Sequence, residues 1–104
     1  MNELDITLRE LAGKPTIHLS GKLTARSVDQ LQITCMKALR KPGAGELIID
    51  MAGITYIDSL SMGRLVAINK AAMQDGRKLV LINQQGPIRD AFRMLHVDKV
   101  IEVR

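Results

Sequence analysis

The sequence predicts an α/β domain with its elements in the order β-β-α-β-α-β-α-β, and three observations carry that reading. Two short segments alternate apolar and polar residues and are separated by a turn. Two later runs, Leu47-Ile48-Ile49 and Leu79-Val80-Leu81-Ile82, are continuously apolar, as strands inside a parallel sheet are. Between and after these runs, apolar residues recur at helical spacing. Three crossovers then join the strands with the usual right-handed connection.

In the first segment Leu4, Ile6 and Leu8 alternate with Asp5, Thr7 and Arg9, the pattern of a half-buried strand. Ala12-Gly13-Lys14-Pro15 reads as a turn. Thr16 to Ser20 follows as a second strand with Ile17 and Leu19 on one side, and the two pair as a hairpin. Whether the first strand stays on its own sheet or joins a neighbour's edge is left open by the pattern. A helix is expected from about Ala25 or Val28 to Arg40, with Val28, Leu31, Cys35 and Leu39 as its apolar stripe. Ser27 and Gln30 have capping-box spacing, with Thr24 as a competing cap. Pro42-Gly43-Ala44-Gly45 stops this helix.

The third strand is expected over Glu46 to Asp50, followed by a short loop containing Gly53. A helix from about Ser61 to Met73 turns Leu65, Ile68 and Ala72 to the sheet, joined by Met62 or Val66 and Met73, and ends at Asp75-Gly76. Lys78 to Ile82 is the fourth strand. Pro87 fits the first position of a further helix whose Ile88, Phe92 and Leu95 share a face, and Val97 to Val103 supplies a last edge strand.

Within 104 residues this is one domain, spanning 1–104, with no repeat or linker. Hydrophobic residues make up 46% and charged residues 25%, an ordinary globular balance. With one Tyr, one Phe and no Trp, the core is aliphatic. The net charge of +4 comes from basic residues scattered along the chain, without a basic arm or stacking aromatics, which argues against direct nucleic-acid binding. The start of the chain lacks a secretory pattern, and no stretch is long and apolar enough to insert in a membrane, so the cytoplasm is the expected compartment.

Catalytic chemistry has little to build on. The single Cys35 falls on a helix stripe, where burial keeps a thiol protonated. His18 alternates outward on a strand and His96 follows a short helix, neither with a metal-ligand partner at motif spacing. No glycine-rich phosphate loop is present, so no cofactor or metal is expected and the chain is not read as an enzyme.

The distinctive segment runs from Ile49 to Gly63, where a buried strand leads to Asp58, Ser59, Leu60, Ser61 and Met62 at the start of a helix. Ser59 or Ser61 is a candidate N-cap, and Asp58 adds favourable charge at the same helix end. A hydroxyl here is also well placed for phosphorylation, because a helix N-terminus accommodates phosphate and the added charge disrupts a protein contact.

Over essentially its whole length the chain resembles the STAS domains of bacterial anti-sigma factor antagonists. The matching residues are Leu19-Ser20-Gly21-Lys22-Leu23, the aliphatic strand ending at Asp50, and above all Tyr56-Ile57-Asp58-Ser59-Leu60-Ser61-Met62-Gly63. Gly76 to Asn83 and Val97 to Ile101 fit as well. The resemblance implies a STAS-type fold with a mixed central sheet. It also implies a partner that is both a serine kinase and an anti-sigma factor. Such antagonists carry Asp-Ser-Ser-Gly-Leu-Gly, or a Thr variant, at this helix start, and phosphorylation of the second hydroxyl residue releases the partner. Here Asp58 and Ser59 match, but Leu60 occupies the phosphoacceptor position, with Ser61, Met62 and Gly63 after it.

Three readings of Leu60 follow. The protein binds its partner without a switch at this position; or Ser59 or Ser61 has become the acceptor; or Leu60 is an engineered or lineage-specific change that locks the active form. One residue of displacement turns a helical side chain by about 100°, so a kinase acting on Ser59 or Ser61 needs a different approach. Leu60 and Met62 either bury area against a partner or, for Leu60, turn into the domain's own core. The candidate partner-binding residues are Asp58, Ser59, Leu60, Ser61 and Met62. The alternative role is that of a STAS accessory subunit binding the ATPase of an ABC lipid-transport system, or of a scaffold.

Overall fold

The first two strands form a hairpin around a turn of only two residues. The structure, a computed structural model, describes residues 3–41 and 45–104. Strands β1 (Leu4–Leu11) and β2 (Lys14–Leu23) pair antiparallel around Ala12 and Gly13, whose φ angles of 54° and 77° give the turn the hand that matches strand twist. Helix α1 (Val28–Arg40) follows, then β3 (Glu46–Ile57), α2 (Ser59–Gln74), β4 (Lys78–Ile82) and α3 (Gly86–Met94). A one-turn 3-10 helix (Val97–Lys99) leads to β5 (Glu102–Val103). The expected helix stop at Pro42, Gly43 and Ala44 lies outside the described residues.

The sheet order is β1-β2-β3-β4-β5, with every pair after the first parallel. Because consecutive parallel strands advance in one direction, right-handed crossovers put all three helices on the same face. The core forms there. Ile17, Leu19 and Leu23 of β2 join Leu47, Ile49, Met51 and Ile54 of β3 and Leu79 and Leu81 of β4 under Leu31, Leu65, Ile68 and Phe92 of the helices. On α1 the buried stripe is Val28, Leu31, Cys35 and Ala38, while Leu39 is half-buried. Burial without compensation pushes the Cys35 thiol up to about 12.

The opposite face has no helix. There Ile48 and Val80 lie side by side beneath an ion network in which Glu46 meets Lys14 at 2.8 Å and Arg104 at 2.9 Å, and Glu102 meets Lys78 and Arg104. These cations, Lys14 first, hold the Glu46 carboxyl below its ordinary value, and Lys78 does the same to Glu102. His18 lies half-buried on this face, with Nδ1 3.1 Å from Asp50 Oδ2.

Several boundaries differ from the sequence expectation. β3 continues to Ile57 instead of ending at Asp50, and Gly53 sits inside the strand. The cause is the neighbouring strand. β2 shifts register twice against β3, and its backbone crosses so closely that a Cβ on Gly53 would lie 2.7 Å from the Leu19 carbonyl oxygen. Gly21, at φ 112°, is equally confined, since a Cβ there would fall 2.2 Å from the Glu3 carbonyl oxygen. The expected strand over Val97 to Val103 is a 3-10 turn and a strand of two residues, because Val97 and Ile101 point into the core at a spacing of four. Leu95 follows the last turn of α3 and is exposed, leaving Ile88 and Phe92 to bury that helix. Ser27 is the N-cap residue of α1 but makes no capping bond; its hydroxyl donates to the Lys22 carbonyl and accepts from the Thr24 N–H.

Candidate functional site

β3 outruns β4 by the length of a further segment and delivers Asp58 to the end of the sheet. The Asp58 N–H still donates to the Leu23 carbonyl at 3.2 Å, so the last rung of the β2–β3 pairing fixes the residue before α2 begins. Extended backbone at Asp58 (φ −100°, ψ 168°) then turns the chain into the helix. One carboxylate oxygen accepts the Ser61 N–H at 2.8 Å. The other accepts the Ala25 N–H at 2.9 Å, from the loop between β2 and α1. Asp58 is therefore the N-cap, and this corrects the expectation that Ser59 or Ser61 plays that part: both lie inside the first turn of α2. The carboxylate satisfies two N–H groups on separate segments, which neither serine hydroxyl could reach at once.

The neighbours hold the Asp58 carboxyl below its ordinary value of 3.8. The Ser61 hydroxyl is the leading influence, followed by the Ser61 and Ala25 N–H groups, against an opposing cost of partial burial. That hydroxyl lies near the carboxylate, yet Ser61 Oγ is buried and has no hydrogen bond of acceptable geometry.

The five site residues separate by depth. Ser59 and Leu60 are exposed, Leu60 with 51% of its surface open to solvent. Asp58 is half-buried. Ser61 is fully buried and Met62 is 5% exposed and part of the core. Leu60 thus does not turn into its own core, whereas Met62 does. Tyr56 stands exposed two residues before the cap, a large side chain the sequence offered only as a lone aromatic. One turn further along α2, Arg64 reaches across to Asp29 at 2.6 Å and Gln32 at 2.7 Å on α1. The end of α2 is therefore held by α1 and its preceding loop, and Leu60 projects from a fixed base. The Ala25 contact had no sequence signal, because it is made by a backbone group.

Among the described residues no group of three His, Cys, Asp or Glu side chains is placed to hold a metal ion. No described helix is long and apolar enough to cross a membrane.

Known proteins share this architecture. A family model described as Mlab, STAS domain, matches residues 6–102. The phosphorylated form of SpoIIAA, a Bacillus cell fate determinant, superposes with a TM-score of 0.71 at 16% identity, covering 96% of this chain and 91% of that one. A putative anti-sigma factor antagonist from Thermotoga maritima gives 0.82 at 15% identity over 94% and 84% of the two chains. A STAS domain protein from Planctomyces limnophilus gives 0.79 at 21% identity over 94% and 87%. These likenesses establish the fold, and the family model spans nearly the whole chain. STAS domains of this kind are regulatory and non-catalytic. From its two-residue hairpin to its Asp58-capped central helix, the chain belongs to the STAS domain family, in the branch described as Mlab.

Proposed function

We propose that this chain is a cytoplasmic, protein-binding regulator that engages an anti-sigma factor or serine kinase-type partner through the exposed start of α2. Leu60 is the contact residue in place of a phosphoacceptor. The observation that supports this most is the position of Leu60: an apolar side chain, half open to solvent, projecting from a helix end whose cap and flanks are fixed. Covering it with a partner removes apolar area from water and contributes roughly 1–2 kcal/mol to binding. Tyr56, exposed beside the cap, extends the same surface. Without a hydroxyl at this position, phosphate cannot be added there to break the contact. Ser59 is the hydroxyl a kinase can reach, while Ser61 is enclosed as long as α2 is folded.

A second reading, an accessory subunit bound to the ATPase of an ABC lipid-transport system, is favoured by the same leucine, since a permanent subunit needs a contact without an off-switch. Affinity capture from native cells, with mass analysis of bait and partners, separates the two. A kinase of the anti-sigma type supports the first reading, and a transporter ATPase with unmodified bait supports the second. In either case Leu60→Ala should weaken capture by about tenfold while leaving the urea midpoint unchanged, because an exposed side chain contributes little to folding. Undiminished capture by the Leu60→Ala protein would remove Leu60 from the interface.

A further inference from the structure

The sheet has two edges of very different character. β5 offers only two residues, Glu102 and Val103, too short to template another chain. β1 offers eight residues in unbroken register with β2, without proline or bulge. Such an edge is a ready surface for strand addition unless something blocks it.

The main-chain groups of β1 that face outward can be read from the hairpin. A two-residue turn makes its flanking pair, Leu11 and Lys14, a hydrogen-bonded pair, so Arg9, Thr7 and Asp5 also direct their N–H and C=O groups to β2. The Lys22 N–H bond to the Glu3 carbonyl fits this parity. Leu4, Ile6, Leu8 and Glu10 therefore direct theirs away from the sheet. A second strand can pair with this edge only if its own outward residues stand opposite these.

We infer that the occupant is a second copy of this chain, pairing β1 with β1 antiparallel about a two-fold axis at Thr7. In that register Ile6 faces Leu8 and Leu4 faces Glu10, all of them residues with outward main-chain groups, giving roughly eight interchain hydrogen bonds, two from each such pair. Asp5 then stands opposite Arg9, and by symmetry the pair occurs twice. These are non-hydrogen-bonded positions, where facing side chains come closest. Both residues are exposed, and neither has an ion-pair partner among the described residues. On the helix-bearing side, Leu8, 41% exposed in the single copy, meets the half-buried Ile6 of the other copy.

The two neighbouring registers of correct parity lose this match. One puts Asp5 opposite Thr7 and leaves Arg9 facing Glu3, whose carboxylate already accepts a bond from the Thr24 hydroxyl at 2.8 Å. The other puts Thr7 opposite Arg9. Charges on an edge strand often serve to repel a second strand. Here they have opposite sign and lie symmetrically about Thr7, so they attract. The two five-stranded sheets become one continuous sheet, with all helices on one face and the two α2 starts at opposite ends.

The test is a charge-reversal cycle on the full chain, followed by sedimentation velocity over a concentration series, with circular dichroism as the check on folding. The wild-type protein is expected to dimerise, and D5R or R9D alone to weaken association by at least about tenfold, since each sets like charges opposite each other twice. The double variant D5R/R9D restores the pairing with the signs exchanged and should recover the dimer. A wild-type protein that stays monomeric throughout overturns the inference. So does a dimer indifferent to the single reversals, or one the double variant fails to recover.

Discussion

Asp58 joins two segments of chain with one carboxylate, and its ionisation matters because both bonds are strongest to the charged form. Asp58→Ala frees the Ser61 and Ala25 N–H groups, at a cost of about 1–2 kcal/mol near neutral pH. The folded protein holds this carboxyl below its ordinary value. Its contribution is therefore complete above the unfolded value of 3.8 and is lost as pH falls through the lower folded value. Urea unfolding at pH 7 and at pH 3 should show the deficit of the Ala variant shrinking in acid; an equal deficit at both would assign the effect to something other than the charge. At this scale the sequence was partly legible. It placed a cap within a residue or two and a favourable charge at Asp58. It did not choose Asp58 over the serines, because the choice depends on Ala25, distant in sequence and close in space.

The boundaries of elements were harder to read than their existence. Ala52-Gly53 looks like a break, and only the close crossing of β2 shows that Gly53 must be glycine to let the strand continue. Every helix and strand type was evident from apolar spacing except in the last segment, where the expected strand over Val97 to Val103 is a 3-10 turn and a strand of two residues, because Val97 and Ile101 enter the core four residues apart. The starts of α2 and α3 were legible to within two residues. Asn69 shows an element-scale dependence that no pattern announces. Buried on α2, it donates to the Val100 carbonyl at 3.0 Å and accepts the Leu79 N–H at 2.9 Å, and so ties the helix to β4 and to the turn before β5. Asn69→Leu keeps the volume and strands both partners. We expect a loss of about 2–4 kcal/mol in urea unfolding and faster hydrogen exchange at the Leu79 amide. A loss below about 1 kcal/mol would mean that water or a shifted backbone replaces both bonds.

At the scale of the molecule, the α/β class and the element order were legible from the sequence, and so was the hairpin. The helix-free face was not, because its cover is made of long charged side chains whose positions depend on three strands and the residue after β5 meeting at Glu46. The sheet order carries a consequence for how the chain reaches this state. Every pairing joins strands that are consecutive in sequence, so no strand has to wait for one that lies beyond the next strand of the chain. The hairpin closes on a two-residue turn, and β3 then docks on β2 along most of its length. β4 joins only the first part of β3, and β5 adds two residues at the end. A chain made from its N-terminus can thus acquire structure in the order of its synthesis, each strand covering the edge left by the last. Pulsed hydrogen exchange during refolding should find amides of β2 and β3 protected before those around Val103. The reverse order would place the nucleus at the C-terminal end. In this light the brevity of β5 is what allows growth of the sheet to stop.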